Sequence, residues 1–353
     1  MVLREIQDLK HTVSQLMHSG KGILAADESD KTAGKRLAMV DLPNEPDHRR
    51  AFRELLFTAP DIEEYISGVI LYDSSIKNTT TDGVPFPDLL AARGIVPGIK
   101  VDMGIRDLPG FPGETVTKGL DALDERFAEY YKLGARFAKW RAVVTIGEEI
   151  PTDAALRINA VTLAEYAALA QASGIVPVVE PEVLFQGDHS IVRAEEVTIR
   201  TLQILFDTLR TYRVDLSGTI LKTSMVLAGD SNTAVSSPEE VAGATLRTLH
   251  LSVPHDVGGI VFLSGGQTPV RATENLNAIA KLGSQPWPIS SSYSRALEEP
   301  VLVAWQGKDD NIPLAQKALL YRAKMNGLAQ QGKYEAKRDK QRDKKNIATD
   351  SQD

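Results

Sequence analysis

Eight short apolar runs, each closing on a polar or charged residue, constrain the fold of this chain more than any other feature. They are GILAAD closing at Asp27, SGVILY at Tyr72, GIVPGIK at Lys100 and ARFAKWR, which carries Lys139 and Arg141. GIVPVVE closes at Glu180, TILK at Lys222, GIVFLS at Ser264 and WPISSS at Ser292. The runs are rich in Ile and Val and nearly continuous in hydrophobicity, as suits strands of a parallel sheet buried on both faces. Helical segments are expected between most of them, at Glu114–Leu133, Thr152–Ser173, Ala194–Tyr212 and Ser237–Leu251. The first two end before Gly134 and Gly174, good C-cap positions, and the last opens with Ser237 at the N-cap and Pro238 at N1. Eightfold βα alternation predicts an α/β fold, a parallel eight-stranded (β/α)8 TIM barrel with outer helices. An open doubly wound sheet would call for GxGxxG after the first strand, and that motif is absent. Residues 1–330 are expected to form this one domain, and the charged stretch 331–353 a mobile tail.

In a barrel the active site lies at the C-terminal ends of the strands, where the closing polar residues fall. Lys222 is the most telling of them. It stands in TILKTSMV, a strand-like segment where an ammonium is costly unless paired or functional. An amine nucleophile there points to Schiff-base chemistry on a carbonyl substrate.

Composition removes several classes. A net charge of -7 leaves no basic excess for a nucleic-acid backbone. The absence of cysteine excludes disulfides, thiolate catalysis and Cys-ligated zinc. The six histidines show no HxxH or HxxxH spacing, so no metal site is expected. No stretch approaches the ~20 apolar residues of a membrane helix, and the first residues lack the apolar run of a signal peptide, so a cytoplasmic protein without membrane attachment is expected.

KGILAADES (Lys21–Ser29), GIKVD (Gly98–Asp102), FAKWR (Phe137–Arg141), VEPE (Val179–Glu182), LKTSMV (Leu221–Val226), FLSGGQ (Phe262–Gln267) and SSYSRAL (Ser291–Leu297) occur in that order. Together they resemble class I fructose-bisphosphate aldolase, the Schiff-base, metal-independent type, from about Lys21 to Tyr334. The resemblance implies reversible cleavage of fructose 1,6-bisphosphate to glycerone phosphate and glyceraldehyde 3-phosphate, with no cofactor and a homotetramer as partner state. It assigns Lys222 as nucleophile, Glu180 as acid–base group for the carbinolamine, Asp27 as the carboxylate near the C4 hydroxyl and Lys139 as second lysine. Glu182 shares a strand face with Glu180, so it is expected to hold Lys139 or Lys222 in place.

Two phosphates need two anion sites. Ser264, Gly265 and Gly266 after the seventh run, with Ser292, Ser294 and Arg295 after the eighth, match the site for the phosphate at carbon 1. Ser29, Thr32, Lys35, Arg36 and Lys100 resemble residues around the carbon-6 phosphate, and Arg141 is a further substrate-binding candidate. Ser294 and Met103 depart from the animal-enzyme pattern, which has glycine and commonly lysine there. The last tyrosine is Tyr334, so the tail-assisted protonation of the animal enzymes, which end in tyrosine, is not carried over. Alternatives are a Schiff-base aldolase acting mainly on fructose 1-phosphate or sedoheptulose 1,7-bisphosphate, and a non-catalytic barrel scaffold.

Overall fold

A computed structural model describes residues 3–339 of the chain. Its strands are β1 (Gly22–Ala25), β2 (Ile66–Leu71), β3 (Val96–Lys100), β4 (Ile105–Asp107), β5 (Thr115–Thr117), β6 (Phe137–Val144), β7 (Val176–Val183), β8 (Ile220–Thr223), β9 (Gly259–Phe262) and β10 (Ile289–Tyr293). Eight of them close into a parallel barrel in the order β1-β10-β9-β8-β7-β6-β3-β2. Each barrel strand overlaps one of the expected apolar runs. Helices cover the outside, as a parallel sheet buried on both faces requires.

The period-two alternation of each strand divides its side chains between two apolar compartments. Ile23, Ala25, Ile70, Val96, Phe137, Val176, Val178, Ile220 and Val261 form an interior cluster. Leu9, Val13 and Leu16 of the first helix (Leu3–Leu16), followed by Met17, join that cluster and close one end of the barrel. The alternate residues Leu24, Ile99, Ala138, Trp140, Val179, Leu221 and Ile260 pack into the larger core between sheet and outer helices. Two residues beyond the inward apolar positions, on the same face, come Asp27, Lys139, Glu180 and Lys222. One alternation therefore builds both the plug and the polar mouth.

Local signals set the helix ends. Thr152 caps Asp153–Ala172, and Ser237 forms a capping box with Glu240 at the start of Pro238–Ser252. Ser190 caps Ile191–Thr211, so this helix starts before the expected Ala194. The expected helix Glu114–Leu133 is corrected more strongly. It spans only Leu123–Lys132, and the preceding residues form β5, paired antiparallel with β4. The β-branched sequence Thr115-Val116-Thr117 favours a strand, and Gly119 at φ +121° breaks any continuation into helix.

The expected tail also begins differently. After the helix Ile312–Gln330, Tyr334 is buried and its N–H donates to Asn277 at 3.0 Å. Asp339 accepts from buried Arg322 at 2.6 Å, supplying the counter-charge that a buried guanidinium requires. Tyr334 and Asp339 thus anchor an otherwise largely exposed stretch 331–339 to the barrel; residues 340–353 lie outside the described ones.

Glycine is required inside the barrel at Gly98. A Cβ there would stand 2.4 Å from the Phe137 ring. Gly98→Ala is expected to lower stability by about 1–3 kcal/mol through overpacking. Urea denaturation measures this, and an unchanged midpoint would show that the ring yields without cost.

Candidate active site

Three neighbouring strands deliver the central group. Lys139 comes from β6, Glu180 from β7 and Lys222 from β8, and the register sets Lys139 beside Val178 and Arg141 beside Glu180. The Lys222 Nζ lies 3.1 Å from Glu180 Oε1, and the Lys139 Nζ lies 3.1 Å from Glu180 Oε2. The Lys139 Nζ also lies 2.7 Å from Asp27 Oδ2, which stands just past β1. All four side chains are buried. Two ammoniums and two carboxylates therefore alternate in the order Lys222, Glu180, Lys139, Asp27.

This order decides the protonation states. Burial raises both carboxyl groups, but Lys139 first and Lys222 second outweigh it and hold Asp27 and Glu180 below the usual carboxylate range. Burial works against the Lys139 ammonium, yet Asp27 and Glu180 together raise it well above an ordinary lysine. Lys139 is thus a fixed cation. Lys222 has one carboxylate oxygen within proton-transfer reach, the arrangement an amine nucleophile needs.

The cleft above this group has a volume of about 1060 Å³. Every candidate residue from the sequence lines it except Lys35, which is exposed on the helix Asp30–Leu37. Ser29 caps that helix, with its Oγ 3.1 Å from Thr32 Oγ1. Lys100 donates to Asp102 Oδ1 at 2.5 Å, while the other Asp102 oxygen accepts from the Arg141 N–H at 3.3 Å. Glu182 does not hold either lysine. It pairs with Arg141, because it lies one inward position further up β7, beside the mouth.

At the other end, Ser264 is buried and Gly265 and Gly266 adopt φ +49° and +93°. A Cβ at Gly266 would meet the Phe185 ring at 2.8 Å, so only glycine lets this backbone approach the cleft. The buried Ser292 Oγ has no hydrogen-bond partner, an unmet polar group facing the space a substrate would fill. Arg36 belongs to this end rather than to the Lys100 end where the sequence grouped it. Its guanidinium contacts Glu28 and Glu298 and donates to Ser294 Oγ at 2.9 Å.

Sequence reasoning missed this cluster's other members. Glu28 and Arg53 are buried and paired, and Glu298 is completely buried, 3.7 Å from Arg53. Burial would raise Glu28, but Arg53 and then Arg36 bring it down to about 2. Burial, reinforced by neighbouring Glu28, pushes Glu298 well above the usual range. Glu28 lies inside the KGILAADES motif, a signal that could have found it; Glu298 follows the SSYSRAL motif by one residue and carries no comparable signal. Asp102, the last residue of GIKVD, organises Lys100 and Arg141. Among the described residues no group of three or more His, Cys, Asp or Glu is disposed to hold a metal ion.

The charges set a pH signature. Ordinary carboxylates titrate near about 4 and lysine near about 10.4. Lowered Asp27 and Glu180 contribute stability that is complete above about pH 4 and is lost as pH falls through their lowered values. Raised Lys139 contributes stability that is complete below about pH 10 and is lost as pH rises through its raised value. Lys139→Met is expected to cost about 3–5 kcal/mol on the plateau between. Urea midpoints across pH should show the gap from the parent protein narrowing below about pH 4; a gap independent of pH would remove the charge explanation.

Comparison with known proteins gives the chemistry a family. The family model described as fructose-bisphosphate aldolase class-I matches residues 8–353. A probable fructose-bisphosphate aldolase class 1 of Xanthomonas axonopodis pv. citri is 51% identical over 331 residues, 93% of this chain and 99% of its own. Fructose-bisphosphate aldolase 2 of Caenorhabditis elegans is 48% identical over 329 residues, 93% of this chain and 90% of its own. The fructose-bisphosphate aldolase of Plasmodium falciparum, solved in complex with TRAP and a small-molecule inhibitor, superposes with a TM-score of 0.94 at 44% identity, over 95% of this chain and 97% of that one. With the family model matching nearly its full length, the chain belongs to the class-I fructose-bisphosphate aldolases.

Proposed function

We propose that this aldolase cleaves fructose 1,6-bisphosphate through a Schiff base on Lys222, and that residues 1–330 act as one catalytic domain. The observation that carries the assignment is the buried Lys222 Nζ 3.1 Å from the Glu180 carboxylate, with Lys139 on that carboxylate's other oxygen. The amine attacks the ketone carbon of the open-chain sugar to give a carbinolamine. Glu180 takes a proton from the Lys222 ammonium to free the attacking amine, a second nitrogen proton passes to the ketone oxygen to make the carbinolamine hydroxyl, and Glu180 returns the first proton to that hydroxyl, so that water leaves and an iminium forms. The iminium draws the electron pair of the C3–C4 bond, and that bond breaks as the C4 hydroxyl proton passes to Asp27. Glyceraldehyde 3-phosphate departs, the enamine gains a proton at C3, and water releases glycerone phosphate from Lys222. Lys139, held cationic, orients Asp27 and Glu180 and stabilises charge that develops on substrate oxygens.

The phosphate at carbon 1 lies at Ser264–Gly266, Ser292, Ser294 and Arg295, and that at carbon 6 towards Ser29, Thr32 and Lys100. Arg36 serves the carbon-1 end, Arg141 with Glu182 lines the opposite wall, and Lys35 contributes only from outside the cleft. A cytoplasmic homotetramer is the assembly we infer. The name of a chickpea relative, a cytoplasmic isozyme 50% identical over 317 residues, supports the compartment.

Borohydride trapping with fructose 1,6-bisphosphate, with and without EDTA, should label Lys222 in both conditions; activity lost to EDTA with no adduct would require another mechanism. Lys222→Ala should be inactive yet folded. Glu180→Gln should lower turnover about 10²–10⁴-fold and accumulate carbinolamine in rapid-quench traces. Arg295→Ala should raise KM about ten- to a hundredfold, and an unaltered KM would move the carbon-1 phosphate elsewhere.

A further inference from the structure

Ser294 begins the helix Arg295–Trp305 at its N-cap, and a serine there ordinarily turns its oxygen onto the first free N–H groups of the helix. This one does not: the helix has no side-chain cap. The hydroxyl instead donates to Glu28 Oε1 at 2.5 Å and accepts from Arg36 Nη2 at 2.9 Å. Both partners are charged, and hydrogen bonds to charged groups outweigh a neutral cap. Glu28 is held there by Arg53, and Arg36 by Glu28 and Glu298, so the hydroxyl meets a rigid pair.

Two consequences follow for the cleft. No side chain caps the helix start beside Arg295, and with the Leu297 N–H already donating to the Ser294 carbonyl at 2.9 Å, the N–H groups of Arg295 and Ala296 are the ones left for an anion. The same hydroxyl ties Arg36, on the helix Asp30–Leu37, to the start of the helix Arg295–Trp305, and both residues line the cleft with Ser294 between them. Without the hydroxyl, Glu28 loses a donor and Arg36 an acceptor, and of the bonds between the two walls the one at the lip of the cleft is lost while the Arg36–Glu298 pair remains.

We propose that Ser294 is a positioning residue for the phosphate at carbon 1, acting through Arg36 and by withholding its own hydroxyl from the helix N-terminus. The inference rests on the placement of that phosphate under Proposed function. It makes the serine an active part of the pocket, where family resemblance leads one to expect a glycine with no side chain to place.

The test compares the parent enzyme with Ser294→Ala, Ser294→Thr and Arg295→Ala, using fructose 1,6-bisphosphate, fructose 1-phosphate and inorganic phosphate as competitive inhibitor. Ser294→Ala should raise KM for both sugars and Ki for inorganic phosphate about three- to tenfold, with kcat within about twofold. Ser294→Thr, which keeps the hydroxyl, should restore the parental KM and Ki. An unchanged or lowered KM in Ser294→Ala, a loss confined to kcat, or failure of threonine to restore KM would overturn the proposal. If Arg295→Ala raises KM while Ser294→Ala does not, the positioning role alone fails. If neither changes KM, the phosphate site itself is elsewhere.

Discussion

The Glu180 carboxylate stands between two ammonium groups, each 3.1 Å away, above a barrel floor of apolar side chains. Two buried cations this close repel strongly, and neither is stable without the anion between them. Asp27 on the far side of Lys139 completes the compensation and makes that lysine permanently charged. The two lysines, chemically alike in the sequence, are thereby made unequal. One holds two carboxylates and is committed; the other shares one and faces the cleft.

That inequality depends on strand parity. Along β6, β7 and β8 the inward positions run from apolar to charged, as in Phe137, Lys139 and Arg141, or Val176, Val178, Glu180 and Glu182. A slip of one residue would turn Lys139, Glu180 and Lys222 into the layer beneath the outer helices and bring Trp140 and Val179 into the mouth. The first helix, through Leu9, Val13 and Leu16, covers the interior apolar cluster at the opposite end and so makes the slipped register costly. Folding and assembly of the chemical group are one event.

Local pattern made the barrel legible, because short Ile- and Val-rich runs and N-cap residues act over a few positions. It also marked the ends of the strands, and with them Lys222, Glu180, Lys139 and Asp27. What it could not supply were pairings over long separations. Arg36 meets Glu298 across 262 positions, and neither residue announces the other. Glu182 was assigned to the lysines on parity alone, yet height along the strand decides its partner and gives it Arg141. The expected helix Glu114–Leu133 rested on its C-cap at Gly134, which marks where a helix ends and not where it begins, and three β-branched residues with Gly119 at positive φ put a hairpin at its start. Charge density marked 331–339 as solvent-borne, as most of it is, but it gave no sign that the buried Arg322 recruits Asp339.

The same pairing bears on how a doubly charged substrate is held in a chain of net charge -7. Each phosphate carries about -1.5 to -2 charges at neutral pH. Most cleft cations are already committed: Lys139 to Asp27 and Glu180, Lys100 to Asp102, Arg141 to Glu182, and Arg36 to Glu28 and Glu298. Arg295, exposed at the lip, makes no ion pair among the described residues. Phosphate must therefore be met largely by directed neutral donors, the glycine backbone after β9, the serine hydroxyls and the helix N-terminus, with Arg295 added as the substrate arrives. Such donors demand correct geometry and offer little to a misplaced anion. A pocket of free lysines would bind either phosphate in many poses, whereas chemistry here requires the one pose that sets the ketone carbon against Lys222.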